Sequence, residues 1–296
     1  MRKVITLSAI FLTLFYFSEA RIRYVDKNGG KDQYGQEKKK TIQEAIDAAL
    51  EGDTVRIYPG VYNESINVGK NIVVQGAGIL STNITSDNSQ RATVVMTAGK
   101  IMWISITSTL FDGINLKSAT VSNCLIYNCN NIGIYVQGIE AKMFNSIIYN
   151  NNDIGIYCTD NGNLLVVNCV SAWNKKYGIQ AGYWVPGYGN PGNITARYCN
   201  SYGNGGNFYQ RSGVLTLINC KEVDPGFSPD AWRLSSSSLL KDSGDPNIFD
   251  LDGTRSDMGY WGGPDAPLIP YLTFPQNYIL NPDGSMQFDF EGKVGY

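Results

Sequence analysis

The sequence predicts an all-β parallel solenoid, and three observations predict it. Gly-Ile pairs stand at Gly113-Ile114, Gly133-Ile134, Gly155-Ile156 and Gly178-Ile179, spaced by 20, 22 and 23 residues. A second series, Asn123-Cys124, Asn145-Ser146, Asn168-Cys169, Tyr198-Cys199 and Asn219-Cys220, has steps of 22, 23, 30 and 21. A period near 22 with about three short β-rich segments per repeat marks stacked coils, each burying its apolar face against its neighbours. Leucine-rich repeats share the period, but this chain lacks their regularly spaced leucines. The third observation is an amphipathic segment at residue 41, "TIQEAIDAALEGD", which supplies the cap that an open stack of strands requires.

Coils stack about 4.8 Å apart, so equivalent side chains lie directly above one another. The small residues Cys124, Ser146, Cys169, Cys199 and Cys220 are then expected to form an inward ladder. Asn128, Asn150, Asn174 and Asn204 recur after them, where asparagine tolerates left-handed backbone and bonds along a turn stack. Four of the six cysteines fall on this ladder, where a buried thiol acts as a small apolar group. Cys124 and Cys169 would be two coils apart, about 9.6 Å, too far to bridge. Cys199 and Cys220 could pair only by turning toward each other, so mostly free thiols are expected. The 30-residue step holds an insertion, "YWVPGYGNPG", at residues 183–192.

At the N-terminal cap, Thr41 and Glu44 form a capping box, Ile42, Ala45, Ile46 and Ala49 share one helical face, and Gly52 ends the helix. Ahead of it, Arg2 and Lys3 precede an apolar run over residues 4–17 and then Ser18-Glu19-Ala20. That pattern predicts a signal peptide cut after Ala20, residues 1–20; the run is too short to span a bilayer comfortably. The expected product is a secreted or cell-surface protein that does not span the membrane. Its loss of Arg2 and Lys3 lowers the formal charge from −2 by two, a mild acidity that gives no reason to expect nucleic acid as a partner. The sequence contains no histidine, which excludes a Ser-His-Asp triad and any histidine-ligated metal.

The stretch from Thr41 to Gly78, with Gly60, Tyr62 and Glu64 in a Gly-x-Tyr-x-Glu element, resembles the opening coil of right-handed parallel β-helix proteins of the pectin-lyase-like superfamily. The segment with Asp224-Pro225, Arg233-Leu234, Asp242-Ser243-Gly244 and Asp257-Met258-Gly259 resembles one that closes bacterial secreted β-helix proteins. With the repeat register and the cap signals, the resemblance leads us to expect a single right-handed parallel β-helix of about eight coils with a short N-terminal capping helix. The expected organisation is a cap over residues 21–53, the β-helix over 54–223, a closing segment over 224–264 and a tail over 265–296. Trp232, Leu234, Leu239 and Leu240 are expected to cover the last rung. Sequons at Asn63, Asn83 and Asn193 matter only in a eukaryotic secretory host.

Enzymes of that superfamily place their catalytic residues in a groove along one outer face, but their catalytic signatures do not occur intact here. Glu64 is read as a structural residue of the first coil. Asp112, Asp153 and Asp160 near coil turns, with Lys142, Lys175, Lys176 and Arg197 on neighbouring coils, are the candidate catalytic set. A carboxylate, a metal and a basic group could abstract a proton beside a uronate carboxylate; equally, a solenoid must place its charges outside. Tyr183, Trp184 and Tyr188 in the insertion, with Trp173 and Tyr177, are candidate substrate-binding aromatics, since flat rings suit the apolar faces of sugars. The alternative is a loop that folds its own rings onto the flank. Asp250, Asp252 and Asp257 in "DLDGTRSD" resemble part of a calcium loop, with an Asp-stabilised turn as the other reading. The expected protein is a monomer that binds a polysaccharide or cell-surface glycan and is carbohydrate-active only if these acids converge. The rival expectation is a non-catalytic surface or adhesion protein that uses the solenoid as a spacer or protein-binding face.

Overall fold

The computed structural model describes residues 20–87, 91–182, 190–228 and 232–267, with the backbone of four further strands between 269 and 295. The chain winds through three parallel sheets. Sheet I has nine strands, from Ile22–Val25 to Leu215–Ile218. Sheet II has seven, from Gly60–Asn63 to Asn200–Tyr202, and sheet III seven, from Ile66–Val68 to Gly206–Gln210. Each strand pairs in register with its equivalent one coil away; Ile134, for example, lies between Ile114 and Ile156. The strands make seven complete coils with an extra sheet I strand at either end, in keeping with the count the repeat implies. The winding is right-handed, the hand that parallel crossover connections favour.

The repeats of the sequence now have physical causes. The inward column Val55, Val74, Ile101, Val121, Met143, Val166 and Ala196 is fully buried. Cys124, Ser146, Cys169 and Cys199 form the expected buried ladder, and all six cysteines are free thiols. Burial pushes the Cys124 and Cys169 thiols up to about 12, so they behave as packing groups. Cys220 ends the ladder half-buried, and a hydrogen bond from Cys199 lowers its pKa. The glycine of each Gly-Ile pair sits where sheet III begins against a neighbouring coil. A Cβ on Gly155 would stand 2.4 Å from Ser171 Oγ and 2.6 Å from Asn174 Nδ2.

From the coil that contains Asn123 onward, two corners of each coil turn on a single left-handed residue. Between sheets I and II it is Trp103 in the coil before, then Asn123, Asn145, Asn168, Tyr198 or Asn219, with φ between +42° and +61°. After sheet II it is Asn128, Asn150, Trp173 and then Gly203. The expected column Asn128, Asn150, Asn174, Asn204 therefore mixes two. Asn174 and Asn204 belong one position further on, below Cys129 and Asn151. There, Asn151 Nδ2 donates to Asn174 Oδ1 at 2.9 Å, and Asn174 Nδ2 to Asn204 Oδ1 at 3.0 Å.

Both ends depart from expectation in detail. The helix, Ile42–Ala48, buries Ile42, Ala45 and Ile46 over the first coil, and Thr41 Oγ1 accepts from the Glu44 N–H at 3.3 Å. The further N-terminal acceptor is Glu64, which takes the N–H groups of Ile42 and Gln43 at 2.9 and 3.0 Å. Lys70 Nζ donates to the carbonyls of Ile46, Asp47 and Ala49 at 2.8–2.9 Å, so the first coil caps both helix ends. The helix stops at Ala48, ahead of Gly52, because these side chains already satisfy its terminal groups.

The closing segment does not cover the last rung. It turns back and runs along the corner between sheets I and II. Asn123 Nδ2 donates to the Tyr260 and Gly262 carbonyls at 2.6 and 2.9 Å. Asn145 Nδ2 donates to the Asp257 carbonyl at 2.9 Å, and the Asp245 N–H donates to Asn168 Oδ1 at 2.7 Å. Leu240, Met258 and Tyr260 pack with Leu125, Ile147 and Val170 on the outer face of sheet II in a second apolar cluster. Leu239 is 65% exposed, and Leu217, next in the inward column after Ala196, is 43% exposed. The tail strands form two antiparallel pairs, Ile269–Leu272 with Gly292–Gly295 and Asn277–Leu280 with Met286–Asp289. The signal-peptide segment, residues 1–19, lies outside the described residues.

Candidate functional site

The corner after sheet II, unlike the corner between sheets I and II, faces solvent. Its composition, "NCNN" at residues 128–131, puts one left-handed residue, one buried amide or thiol and one outward polar residue in each of three successive coils. Asn128 and Asn150 stack there, with Asn150 Nδ2 donating to Asn128 Oδ1 at 2.8 Å. The outward row is Asn130, Asn152 and Lys175, all exposed, with Lys175 Nζ 3.4 Å from Asn152 Oδ1. Trp173 occupies the left-handed position in the next coil and lies half-buried, its ring 5.2 Å from that of Tyr149 and 5.7 Å from that of Tyr202. These residues line a groove of about 760 Å³.

This groove holds two of the predicted residues, Trp173 and Lys175. Asp153 lies one row further on, its half-buried carboxylate paired at 2.8 Å with the exposed Lys176. Asp112 is buried beside it, accepting from Asn131 Nδ2 at 2.7 Å and the Ile132 N–H at 3.1 Å. Burial raises its pKa against those two bonds. Asp160 is elsewhere, after sheet III, where its carboxylate accepts from the Tyr135 hydroxyl at 2.8 Å. Arg197 ends a sheet I strand and pairs with Asp245 at 2.7 Å; a shallow depression on that face also takes in Lys142. The candidate catalytic residues thus fall into three places: Asp112, Asp153, Lys175 and Lys176 at or beside the groove, Asp160 after sheet III, and Arg197 with Lys142 on sheet I.

Tyr177 is also outside the groove. It stacks on Tyr209, with centroids 4.1 Å apart and planes 7° apart, and packs against an outer cluster on sheet III with Tyr135 and Tyr157. Tyr183, Trp184 and Tyr188 lie outside the described residues. The aspartate loop does not fit calcium. Asp250 accepts the Gly263 and Asp257 N–H groups, Asp252 accepts from Thr254, and Asp257 accepts from the Asp242 N–H. Among the described residues no cluster of three histidine, cysteine, aspartate or glutamate side chains could hold a metal ion. The Asn128–Asn150 stack was expected as a turn column, but the outward row Asn130, Asn152 and Lys175 beside it was not. Aligning Trp173 with Asn150, 23 residues before it, would have found that row.

Three continuous parallel sheets, side-chain ladders in register and single-residue left-handed corners define a right-handed parallel β-helix with a grooved outer face. The chain belongs to the right-handed β-helix region family, whose profile it matches over residues 63–226. It is similar to the solved pectate lyase Pel9A, with a TM-score of 0.47 and 16% identity over 83% of this chain and 97% of that one. A pectin methylesterase from Aspergillus niger gives a TM-score of 0.44 and 13% identity over 75% and 92%. The carrot pectin methylesterase gives 0.38 and 20% over 66% and 64%. Likeness at this level concerns winding alone. No curated protein matches the chain, and no described helix is long and apolar enough to cross a membrane.

Proposed function

We propose that this chain is an exported β-helix protein that binds a glycan along the asparagine groove. The observation that carries the reading is Trp173. A bulky aromatic residue at φ +54° stands where the two preceding coils have asparagine. Left-handed backbone costs an L-residue about 1–2 kcal/mol, and such cost persists mainly where a site uses it. Around the indole, asparagine amides recur at the coil spacing and Lys175 supplies one positive charge. Stacking, paired hydrogen bonds and a cation together suit a polar chain of sugar rings with acidic substituents.

The test is Trp173→Asn, which installs the residue that the two preceding coils carry at this left-handed position and so keeps the turn. Glycan-array screening followed by calorimetry on the best acidic oligosaccharide should show roughly tenfold weaker binding, with a melting temperature equal to the parent's or higher. Binding as tight as the parent's would sink the groove. A second reading, a non-catalytic surface or adhesion protein, draws support from the separation of Asp160 and Arg197 from Asp112, Asp153 and Lys175. Release of unsaturated uronates or reducing ends from acidic polysaccharide would count against it.

A further inference from the structure

A second concavity, of about 620 Å³, opens on the outer face of sheet I at the first coils. Its floor follows from strand register. Tyr24, Arg56 and Gln75 stand opposite one another on three successive strands, while Val25, Val55 and Val74 beside them point into the core. Tyr58 forms one wall and Trp103 the other, and Pro267 of the returning segment closes the rim. The volume falls within the range of small-molecule sites, about 300–1,000 Å³.

The walls are held in place from outside. Tyr58 lies edge-on to Tyr24 with centroids 6.1 Å apart, and Lys38, itself fixed by Asp26 at 2.7 Å, sits 4.3 Å from the Tyr58 ring centre. Trp103 is the other tryptophan in a left-handed corner position of the coils, at φ +61°. Its indole N–H donates to the Asp265 carbonyl at 2.6 Å, and the Asp265 carboxylate is gripped by Lys100 and by Ser122 Oγ. Next to it, a Cβ on Gly76 would fall 2.4 Å from the Trp103 carbonyl, so only glycine lets the two backbones meet. Among the described residues Arg56 is the one charged side chain lining the space. Its Nε donates to Gln75 Oε1 at 3.2 Å, which orients the guanidinium and leaves its two NH2 groups as a fork of donors.

We propose that this cavity is a second ligand site that takes a ring-bearing carboxylate, with Arg56 holding the carboxylate and Tyr24, Tyr58 and Trp103 enclosing the ring. The site lies on a different face from the asparagine groove and does not depend on it. Titrations with glucuronate and with phenylacetate, against neutral glucose and 2-phenylethanol, test it and separate a sugar ring from an aromatic one. The Trp103 indole N–H resonance, assigned by its loss in Trp103→Phe, should shift with at least one carboxylate, and the neutral counterpart should bind at least about tenfold more weakly. Arg56→Gln changes an exposed side chain, so it should melt like the parent while losing that preference. Tyr58→Ala should weaken acid and neutral ligand alike. The proposal is overturned if neither carboxylate moves the Trp103 resonance at millimolar concentration, or if Arg56→Gln binds the carboxylate as tightly as the parent.

Discussion

Two coils carry asparagine at both corners, Asn123 with Asn128 and Asn145 with Asn150, and the two corners use the same backbone device but have opposite fates. Asn145 and Asn150 are five residues apart, both left-handed, at φ +42° and +51°. Asn145 is 2% exposed because the closing segment lies over it, and its amide binds that segment's carbonyls. Asn150 faces solvent, and its amide binds only along its own column to Asn128. The left-handed turn is thus a repeated structural solution. What a corner does depends on which corner the rest of the chain covers.

Glycine accepts left-handed backbone freely, so replacing each asparagine with glycine removes the amide while keeping the turn. Asn145→Gly should lose about 1–3 kcal/mol in denaturant unfolding, the cost of leaving buried carbonyls of the closing segment without donors. If it unfolds like the parent, the clamp carries no energy and the contrast between the corners fails.

The clamp should also respond to pH. Burial first, then the nearby charges of Asp250 and Asp242, raise the Asp257 carboxyl to about 6, although the Asp242 N–H bond works the other way. Between its unfolded value near 3.8 and about 6 the folded protein holds a proton that the unfolded chain has released. This group's contribution to stability is therefore fully present below pH 3.8 and declines as pH rises through 6. Relative to Asp257→Asn, the parent should lose melting temperature from pH 4 to pH 7; parallel pH profiles would count against the burial argument. The smallest effect belongs to the open corner. Asn150→Gly should stay within about 0.5 kcal/mol of the parent and weaken glycan binding only a few-fold, measured by calorimetry on the same oligosaccharide as Trp173→Asn. A cost equal to that of Asn145→Gly would mean that the two columns are equally structural.

Much of this was written in the order of residues. The 20–23 residue spacing reads directly as coil length, because parallel stacking puts equivalent positions at one height and selects similar side chains for them. The glycine, cysteine and asparagine columns follow from that rule, as does the helix that covers the first coil. Where a column changes residue type the rule weakens: Trp173, standing at the Asn150 position, hid the shift between Asn150 and Asn174 because asparagine was matched to asparagine. Glu64 was legible as structural, but its two bonds to the helix N-terminus were not.

The path of the closing segment was decided by tertiary structure alone. Leu240, Met258 and Tyr260 are apolar enough to cover either the last rung or a flank, and composition cannot choose between them. The choice came from side-chain amides over a hundred residues away, Asn123 and Asn145, whose donors match the carbonyls of an irregular stretch with no period of its own. That path buries one asparagine corner, leaves the other open as a groove, and brings Asp265 to Trp103. Local spacing specifies the coil because each rung interacts mainly with its neighbours, whereas a contact between distant segments leaves no periodic trace in the sequence.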